Sequence, residues 1–531
     1  KQFESVCKDT KDGPFPPCEE RNDVPAMSDI HCCVADVCKL LKSIDVNKAQ
    51  GPDGLSPRVL KEGAEQLAPS LCQLFNMSLS KGELPTDWRR ANVSPLLKKG
   101  NKEDPGNYRP ISLTSITCKL LEKLVCKHLV DHFNLHNVLC DNQHGFREKR
   151  SCETQLIEAI HDWSSWMNSG YSVDIAYLDF AKAFDSVSHN LLELKLKMYG
   201  IQNSNLKWIM NFLKNRSQRV VLNGEYSNWV DVKSGVPQGT ILGPIIFLCF
   251  INDISYNIDS TIRLYADDCI LYRPIHSIED CKLLQKDLEN LDKWANSWLL
   301  DFNVNKCKIM QMSRKSSKPQ YEYKLGGHKL INTKSEKYLG ITINDTLNFN
   351  SHCNETYAKC SKIVAIIKRN FLNCPRSVFK TLYDSLIRPC LEYCCIAWDP
   401  YRVSHINIIE RVQKRYLRMM FRDWETSYHE LLEKSSFAKL EERRKYHRLV
   451  MFYKIINNMV NVGPIEKIIR AHRIGRNDHN MKMYVPFAKT DYFKNSFYIR
   501  TANEWNMLPS NVINSPSLST FKISLKSCLH I

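Results

Sequence analysis

Three aspartates stand where chemistry could be done: Asp179 closes an apolar run, and Asp267 and Asp268 sit side by side further on. An Asp-Asp pair alone is usually a turn or a helix cap. Placed with a third carboxylate at strand ends, it can instead clamp two hard cations about 3.5–4 Å apart. Such a clamp would let one cation activate a hydroxyl while the other holds a triphosphate and its leaving pyrophosphate. Mg²⁺ suits the task, because it takes oxygen ligands and bridges carboxylates to phosphates. A sheet would fix the carboxylates while leaving them open to a ligand.

The elements that must position them are legible as periodicities. Residues 175–180 alternate as a strand ending in the carboxylate, and 261–272 read as strand, tight turn and strand with the turn at Ala266, Asp267 and Asp268. Ser277 with Asp280 forms a capping box for a helix that turns Leu284, Leu288, Leu291, Trp294 and Trp298 inward. Helices are predicted over 67–79 and 191–199, and another places Ile116, Leu120 and Leu124 on one face. Arg219 to Asn223 opens a hairpin continued at 230–232, and 338–343 reads as one short strand. Gly51 to Gly54 is a turn by composition, and 98–107 a polar loop. Beyond about 350 the pattern is helical, interrupted at Pro375, Pro389 and Pro400. The expected class is α+β, followed by a helical half.

Composition sets bounds. The 531 residues exceed one compact core, and 43% hydrophobic with 10% aromatic content excludes a disordered chain. A formal net charge of +17 favours a polyanionic partner, nucleic acid before membrane. The longest apolar run, Ile241 to Ile251, is too short to span a bilayer. The 21 scattered cysteines read as small core residues of an intracellular protein. Neither Cys32, Cys33 and Cys38 nor Cys390, Cys394, Cys395 and His405 have the paired spacing of zinc modules. A start at Lys1 suggests a piece of something longer, with residues 1–45 as linker or remnant.

The aspartates keep specific company. Asp179 lies in Tyr177 to Asp185 (YLDFAKAFD), the pair in Tyr265 to Asp268 (YADD), and between them runs Ser234 to Pro244 (SGVPQGTILGP). Flanking them are Asn107 to Leu113 (NYRPISL), Gln143 to Arg147 (QHGFR), Asn303 to Lys306 (NVNK), Tyr338 to Gly340 (YLG) and Arg500 to Asn506 (RTANEWN). These blocks, in this order, resemble the reverse transcriptases of non-LTR (LINE-type) retrotransposons, jockey-like or chicken-repeat-like, from about residue 46 onward.

The resemblance implies a right-hand polymerase: fingers at 46–174, palm at 175–345, a helical thumb at 346–440, and a family-specific region at 441–531. It implies two Mg²⁺ ions, with Mn²⁺ as an alternative, held by Asp179, Asp267, Asp268 and the Phe180 carbonyl. Phe184 falls at the sugar gate, Gln238 beside the incoming nucleotide, and Arg109 with Lys98 or Lys99 on the triphosphate. Lys306 would protonate the leaving pyrophosphate. Gln143 and Arg147 would touch the template, Tyr338, Leu339 and Gly340 the primer, and Arg411, Lys414, Arg415 and Arg418 a phosphate backbone, with Ile408, Val412, Tyr416 and Met419 or Met420 facing inward. The implied partners are an RNA template, a DNA primer or nicked target DNA, and deoxynucleoside triphosphates, without a membrane. The implied location is an element ribonucleoprotein in the cytoplasm, and the nucleus. Polymerases that make RNA on RNA typically carry Gly before the Asp pair and a polar residue at the gate. Ala266 and Phe184 point away from them.

Overall fold

The structure is a computed structural model, and it describes residues 23–98, 100–313, 319–463, 470–471 and 479–531. Its organising element is a sheet of five strands in the order Ile331–Asn332, Lys308–Met312, Ser172–Leu178, Asp268–Ile275, Thr261–Tyr265. The central strand Ser172–Leu178 runs antiparallel to both Asp268–Ile275 and Lys308–Met312, and every one of its residues is buried.

Total burial follows from helices covering both faces. Successive side chains of a strand point to opposite faces, and the sheet obeys this strictly. Ala176, Leu178, Cys269, Leu271 and Ile309 join a core shared with the N-terminal helices and with Leu242–Ile251. Val173, Ile175, Tyr177, Ile270, Tyr272, Met310 and Met312 join a second core. That second core includes the helix Cys152–Asn168 and continues into helices as late as Leu518–Leu529.

Helix Leu242–Ile251 is buried at every position but Pro244. Its termini are therefore cut off from water and need internal partners. At the N-terminal end, Glu122, itself fully buried, accepts hydrogen bonds from the Ile241 and Leu242 amides at 2.7 and 3.2 Å. At the C-terminal end, the Lys195 ammonium donates to the Phe250 carbonyl and to Asp253 Oδ1 (2.6 Å), and lies 3.6 Å from the Trp298 ring centroid. An anion at the positive end and a cation at the negative end complement the helix dipole.

A smaller sheet lies in the N-terminal half. Arg90–Leu97 pairs antiparallel with Tyr108–Leu113 and parallel with Arg216–Leu222, which in turn pairs with Glu225–Tyr226 and Val230–Val232. The predicted helices are present as Ala64–Lys81, Ile116–Leu135, His189–Met198 and Ile278–Ser297, the last with its Ser277/Asp280 capping box. Within the stretch expected to be linker, Val34–Lys42 is a helix that buries Val37 and Leu41. The single strand expected at 338–343 is instead a hairpin, Ser335–Tyr338 against Ile341–Asn344. Its two-residue turn, Leu339 and Gly340, has positive φ at both positions, the geometry that matches strand twist. A Leu there gives no composition signal for a turn.

Among the described residues no helix is long and apolar enough to cross a membrane. From Asn350 onward the described residues are mainly helical, with a π-turn at Tyr383–Ile387 just ahead of Pro389, whose missing N–H disturbs the ladder.

Lys195→Met should keep the packing against Trp298 but leave the Phe250 carbonyl and Asp253 without their cation. The expected loss is about 1–3 kcal/mol of unfolding free energy in urea titration, the cost of a buried group left without its partner, and an unchanged midpoint would contradict the pairing.

Candidate active site

The register of the large sheet builds the site. Leu178 pairs with Cys269, so the next position along each strand sets Asp179 opposite Asp268. The hairpin pairs Tyr265 with Asp268, leaving Ala266 and Asp267 as the turn, with Ala266 at φ +55°. Three carboxylates thus gather at one end of three adjacent strand segments. The Asp179 carbonyl accepts from the Asn303 amide at 2.7 Å, and Phe180 stacks on Phe302 at 4.4 Å, so the segment after Asp179 is anchored on both sides.

The electrostatics show crowding. Asp268 is reached by solvent yet surrounded by protein, and its carboxyl is pushed up to about 6, first by burial and then by the charges of Asp267 and Asp179. Asp267 is raised for the same leading reason, with Asp179 adding to it. Lys98 and Arg109 oppose the shift on both residues, which places their charges within electrostatic reach of the pair. They stand at the loop end of the Arg90–Leu97/Tyr108–Leu113 hairpin, exposed and without an ion pair among the described residues. Lys99 lies outside the described residues. Lys306 Nζ meets Asp179 Oδ2 at 2.9 Å.

Can these residues hold cations? Among the described residues no group of three ligands closes on a single point. A closed cage is not what the donor chemistry suggests, however. Like charges on fixed backbone repel each other until a cation arrives, and Asp179 is meanwhile held by Lys306. The three carboxylates, with Asp267 and Asp268 raised first by burial and then by neighbouring charge, are an oxygen donor set that hard cations would relieve.

The turn Ser234 to Thr240 packs against the triad's neighbours. Gly235, at φ +87°, leaves no room for a Cβ beside Asp185, and Gly239, at φ +102°, none beside the Ser112 carbonyl. The Gln238 carbonyl accepts from the Ser112 amide at 2.8 Å, tying the turn to the strand that carries Arg109. Gln238 Nε2 donates to Asp185 Oδ1 at 3.2 Å. Burial raises the Asp185 carboxyl. Asp185 is a site neighbour that was not singled out from sequence, although it is a second acid within the Asp179 block. Phe184 is half-buried, stacked on Phe247 at 4.3 Å, and its carbonyl accepts from the Val236 amide.

Other expected contacts are turned elsewhere. The Gln143 side chain is buried against the hairpin turn and has no surface for a template, and Arg147 donates to the Leu139 and Cys140 carbonyls at 3.1 Å. Tyr338 is buried, bonded to Gln155 and edge-on to Tyr177, which leaves only the tip residues Leu339 and Gly340 for contact. These placements have one cause: a polar side chain beside a closely packed sheet finds an internal partner. On helix Val403–Phe421, Arg411 and Arg415 are exposed while Lys414 and Arg418 are half-buried; Ile408 packs against the core half-buried, with Ile409 beside it fully buried.

The sheet and its strand-end carboxylates form a unit of mixed α and β structure with its acidic residues gathered at one end. Residues 97–343 match the reverse transcriptase (RNA-dependent DNA polymerase) family. The chain is 29% identical over 402 residues to the RNA-directed DNA polymerase from mobile element jockey of Drosophila melanogaster, covering 72% of this chain and 43% of that protein. Probable RNA-directed DNA polymerases from transposon BS and transposon X-element of the same species are 27% and 26% identical, over 72% and 75% of this chain and 44% of each relative. The chain thus spans less than half the length of these relatives. Among solved structures, apo telomerase from Candida Tropicalis truncated from its C-terminal domain aligns over 53% of this chain and 59% of that chain at 11% identity. Its TM-score of 0.35 is too low to speak to the fold.

Asp268 has a folded-state pKa above its ordinary 3.8, so the native state binds this proton more tightly than the unfolded chain. The stability from that proton is complete below about pH 4 and is lost as pH rises through about 6. Metal-free Asp268→Asn should therefore melt higher than the parent at pH 7–8, with the gap closing toward pH 4. Thermal melts across that range in chelator check the sign.

Proposed function

We propose that this chain extends the 3′ end of a DNA primer on an RNA template. The observation that carries this reading is the triad: Asp179, Asp267 and Asp268 at adjoining strand ends, two of them raised by burial and mutual charge. In the reaction the primer 3′-oxygen bonds to the α-phosphorus of a deoxynucleoside triphosphate. The bond from that phosphorus to the bridging oxygen breaks, and pyrophosphate leaves with the electron pair.

The three aspartates, with the Phe180 carbonyl, would hold two Mg²⁺ ions, or Mn²⁺ in their place. Bound there, the cations supply Lewis-acid activation of the hydroxyl and charge neutralisation at the phosphates. Arg109 and Lys98, unpaired at the end of their hairpin, grip the triphosphate, Arg109 with the two-point fork a phosphate favours. Lys306, already on the cleft edge through Asp179, supplies a proton to the leaving group. Phe184, stiffened by Phe247, stands against a ribose 2′-hydroxyl. Gln238 lies under the nascent base pair.

Fingers at 46–174, palm at 175–345 and thumb at 346–440 follow from this reading. Exposed Arg411 and Arg415 are the best placed of the thumb cations to meet the duplex backbone. The similarity to mobile-element polymerases supports a nicked chromosomal end as the natural primer, and so a role in target-primed retrotransposition within a ribonucleoprotein that reaches the nucleus.

Primer extension on poly(A)/oligo(dT) with dTTP and Mg²⁺ tests the activity. Extension should be present in the parent and absent in Asp267→Asn/Asp268→Asn, while filter binding of primer–template is retained. Folded parent protein that binds but does not extend would leave only a nucleic-acid-binding role. Separately, Phe184→Ala should raise ribonucleotide incorporation at least about 10-fold, as removal of a steric clash of roughly 1.4 kcal/mol would. Unchanged sugar discrimination would remove Phe184 from the gate.

A further inference from the structure

The segment Asn142 to Gly145 attaches to the outer edge of the catalytic sheet. The Leu264 amide donates to the Asn142 carbonyl at 2.9 Å, and the His144 amide donates to the Leu264 carbonyl at 2.8 Å, a one-residue parallel bridge centred on Gln143. From there the Gln143 side chain reaches the turn that carries Asp267. Its Oε1 accepts from the Ala266 amide (2.9 Å) and from the Gly145 amide (2.7 Å), and its Nε2 donates to the Ala266 carbonyl at 3.4 Å. One carboxamide therefore docks on both peptide groups of the residue that precedes the aspartates. Gly145 closes the contact: a Cβ there would lie 2.4 Å from the Ala266 nitrogen.

The turn needs such a hold. Ala266 sits at φ +55°, a region an L-residue enters at a cost and keeps only when its surroundings dictate it. The next two residues carry charges that repel each other and Asp179. Behind the latch, His144 Nδ1 bonds Thr154 Oγ1 at 2.9 Å, and Glu158 and Asp162 pair with Arg263 on the same hairpin. A side-chain amide carries both a donor and an acceptor at one terminus, which matches the two groups of Ala266.

We infer that Gln143 is a positioning residue of the polymerase site, a latch that fixes the Asp267–Asp268 turn through the Ala266 peptide groups and touches no nucleic acid. The inference rests on the proposed catalytic role of these aspartates.

The test compares Gln143→Met, which keeps length and burial but loses all three bonds, with Gln143→Glu, which keeps the two accepted bonds, and Gly145→Ala, which presses on the Ala266 nitrogen while leaving the carboxamide intact. Three quantities are read in the full chain: kcat for extension, Kd for poly(A)/oligo(dT), and amide hydrogen exchange of the 262–270 peptide without metal. Gln143→Met should lower kcat about 100-fold, the scale of an ångström's misplacement, with Kd within about twofold and faster exchange at the turn. Gly145→Ala should share that signature, and Gln143→Glu should restore slow exchange. Weakened primer–template binding with kcat preserved would return Gln143 to the template and overturn the latch, as would unaltered exchange in a folded Gln143→Met or Gly145→Ala protein. Should Asp267→Asn retain activity, the catalytic reading fails on its own, and the exchange measurement still decides whether Gln143 holds the turn.

Discussion

The pairing of Ser172–Leu178 with Asp268–Ile275 is the constraint on which the molecule turns. Its register brings Asp179 across from Asp268 and leaves Asp267 in the adjoining turn. A shift of one residue would rotate every side chain of the strand to the opposite face. Here both faces are buried in different cores, so slippage would exchange Ala176 and Leu178 for Ile175 and Tyr177 in spaces shaped for the others. The hydrophobic cost of that exchange secures an arrangement that electrostatics opposes. Three carboxylates are held together by the burial of residues that never meet a ligand.

The same logic explains why so much polar structure sits away from the carboxylates. The apolar helix Leu242–Ile251 begins directly after the Ser234–Thr240 turn, and its buried ends would each carry unsatisfied backbone groups. Glu122 and Lys195 satisfy them from two other helices, which locks the turn to the core. From that turn the Gln238 carbonyl holds Ser112, on the strand bearing Arg109. The cation expected on the triphosphate and the carboxylates expected on the metals are thus linked through one glycine-lined turn, where neither Gly235 nor Gly239 can accept a side chain.

Elements with strict periodicity were legible in the sequence: the alternating strand before Asp179, the strand–turn–strand around Asp267 and Asp268, and the Ser277/Asp280 cap. Such patterns depend on nearest neighbours along the chain. The direction of individual polar side chains was not legible, because it depends on what packs alongside from distant sequence. Gln143 and Tyr338 read as ligand contacts from their motifs, yet each is buried and bonded to residues far away, Ala266 and Gln155. Periodicity alone read 338–343 as one strand because a Leu at positive φ carries no composition signal, whereas the resemblance of Tyr338 to Gly340 to a primer-grip hairpin placed a hairpin there; its tip is held by Tyr393, whose hydroxyl donates to the Leu339 carbonyl at 3.1 Å. Along Val403–Phe421 the inward face of Ile408, Val412, Tyr416 and Met419 was legible from periodicity, while Ile409 joins it because the packed face is wider than one residue per turn.

The rear core bears on where the catalytic unit ends. The matched reverse transcriptase region stops at 343, but the sheet's rear face shares its core with Tyr492, Phe497, Trp505 and Phe521. Asn168, at the end of the helix that backs the sheet, accepts at 2.8 and 3.1 Å from the Lys489 and Thr490 amides. Glu158 of that helix accepts from the Gly463 amide and pairs with Arg263, three residues before Ala266 in the catalytic hairpin. Glu158 is 3% exposed, so its charge must be balanced by these partners. Residues beyond 441 therefore form one wall of the cavity in which the catalytic sheet is packed. Physically they belong to the same folding unit as the aspartates, although the matched reverse transcriptase region ends about a hundred residues earlier.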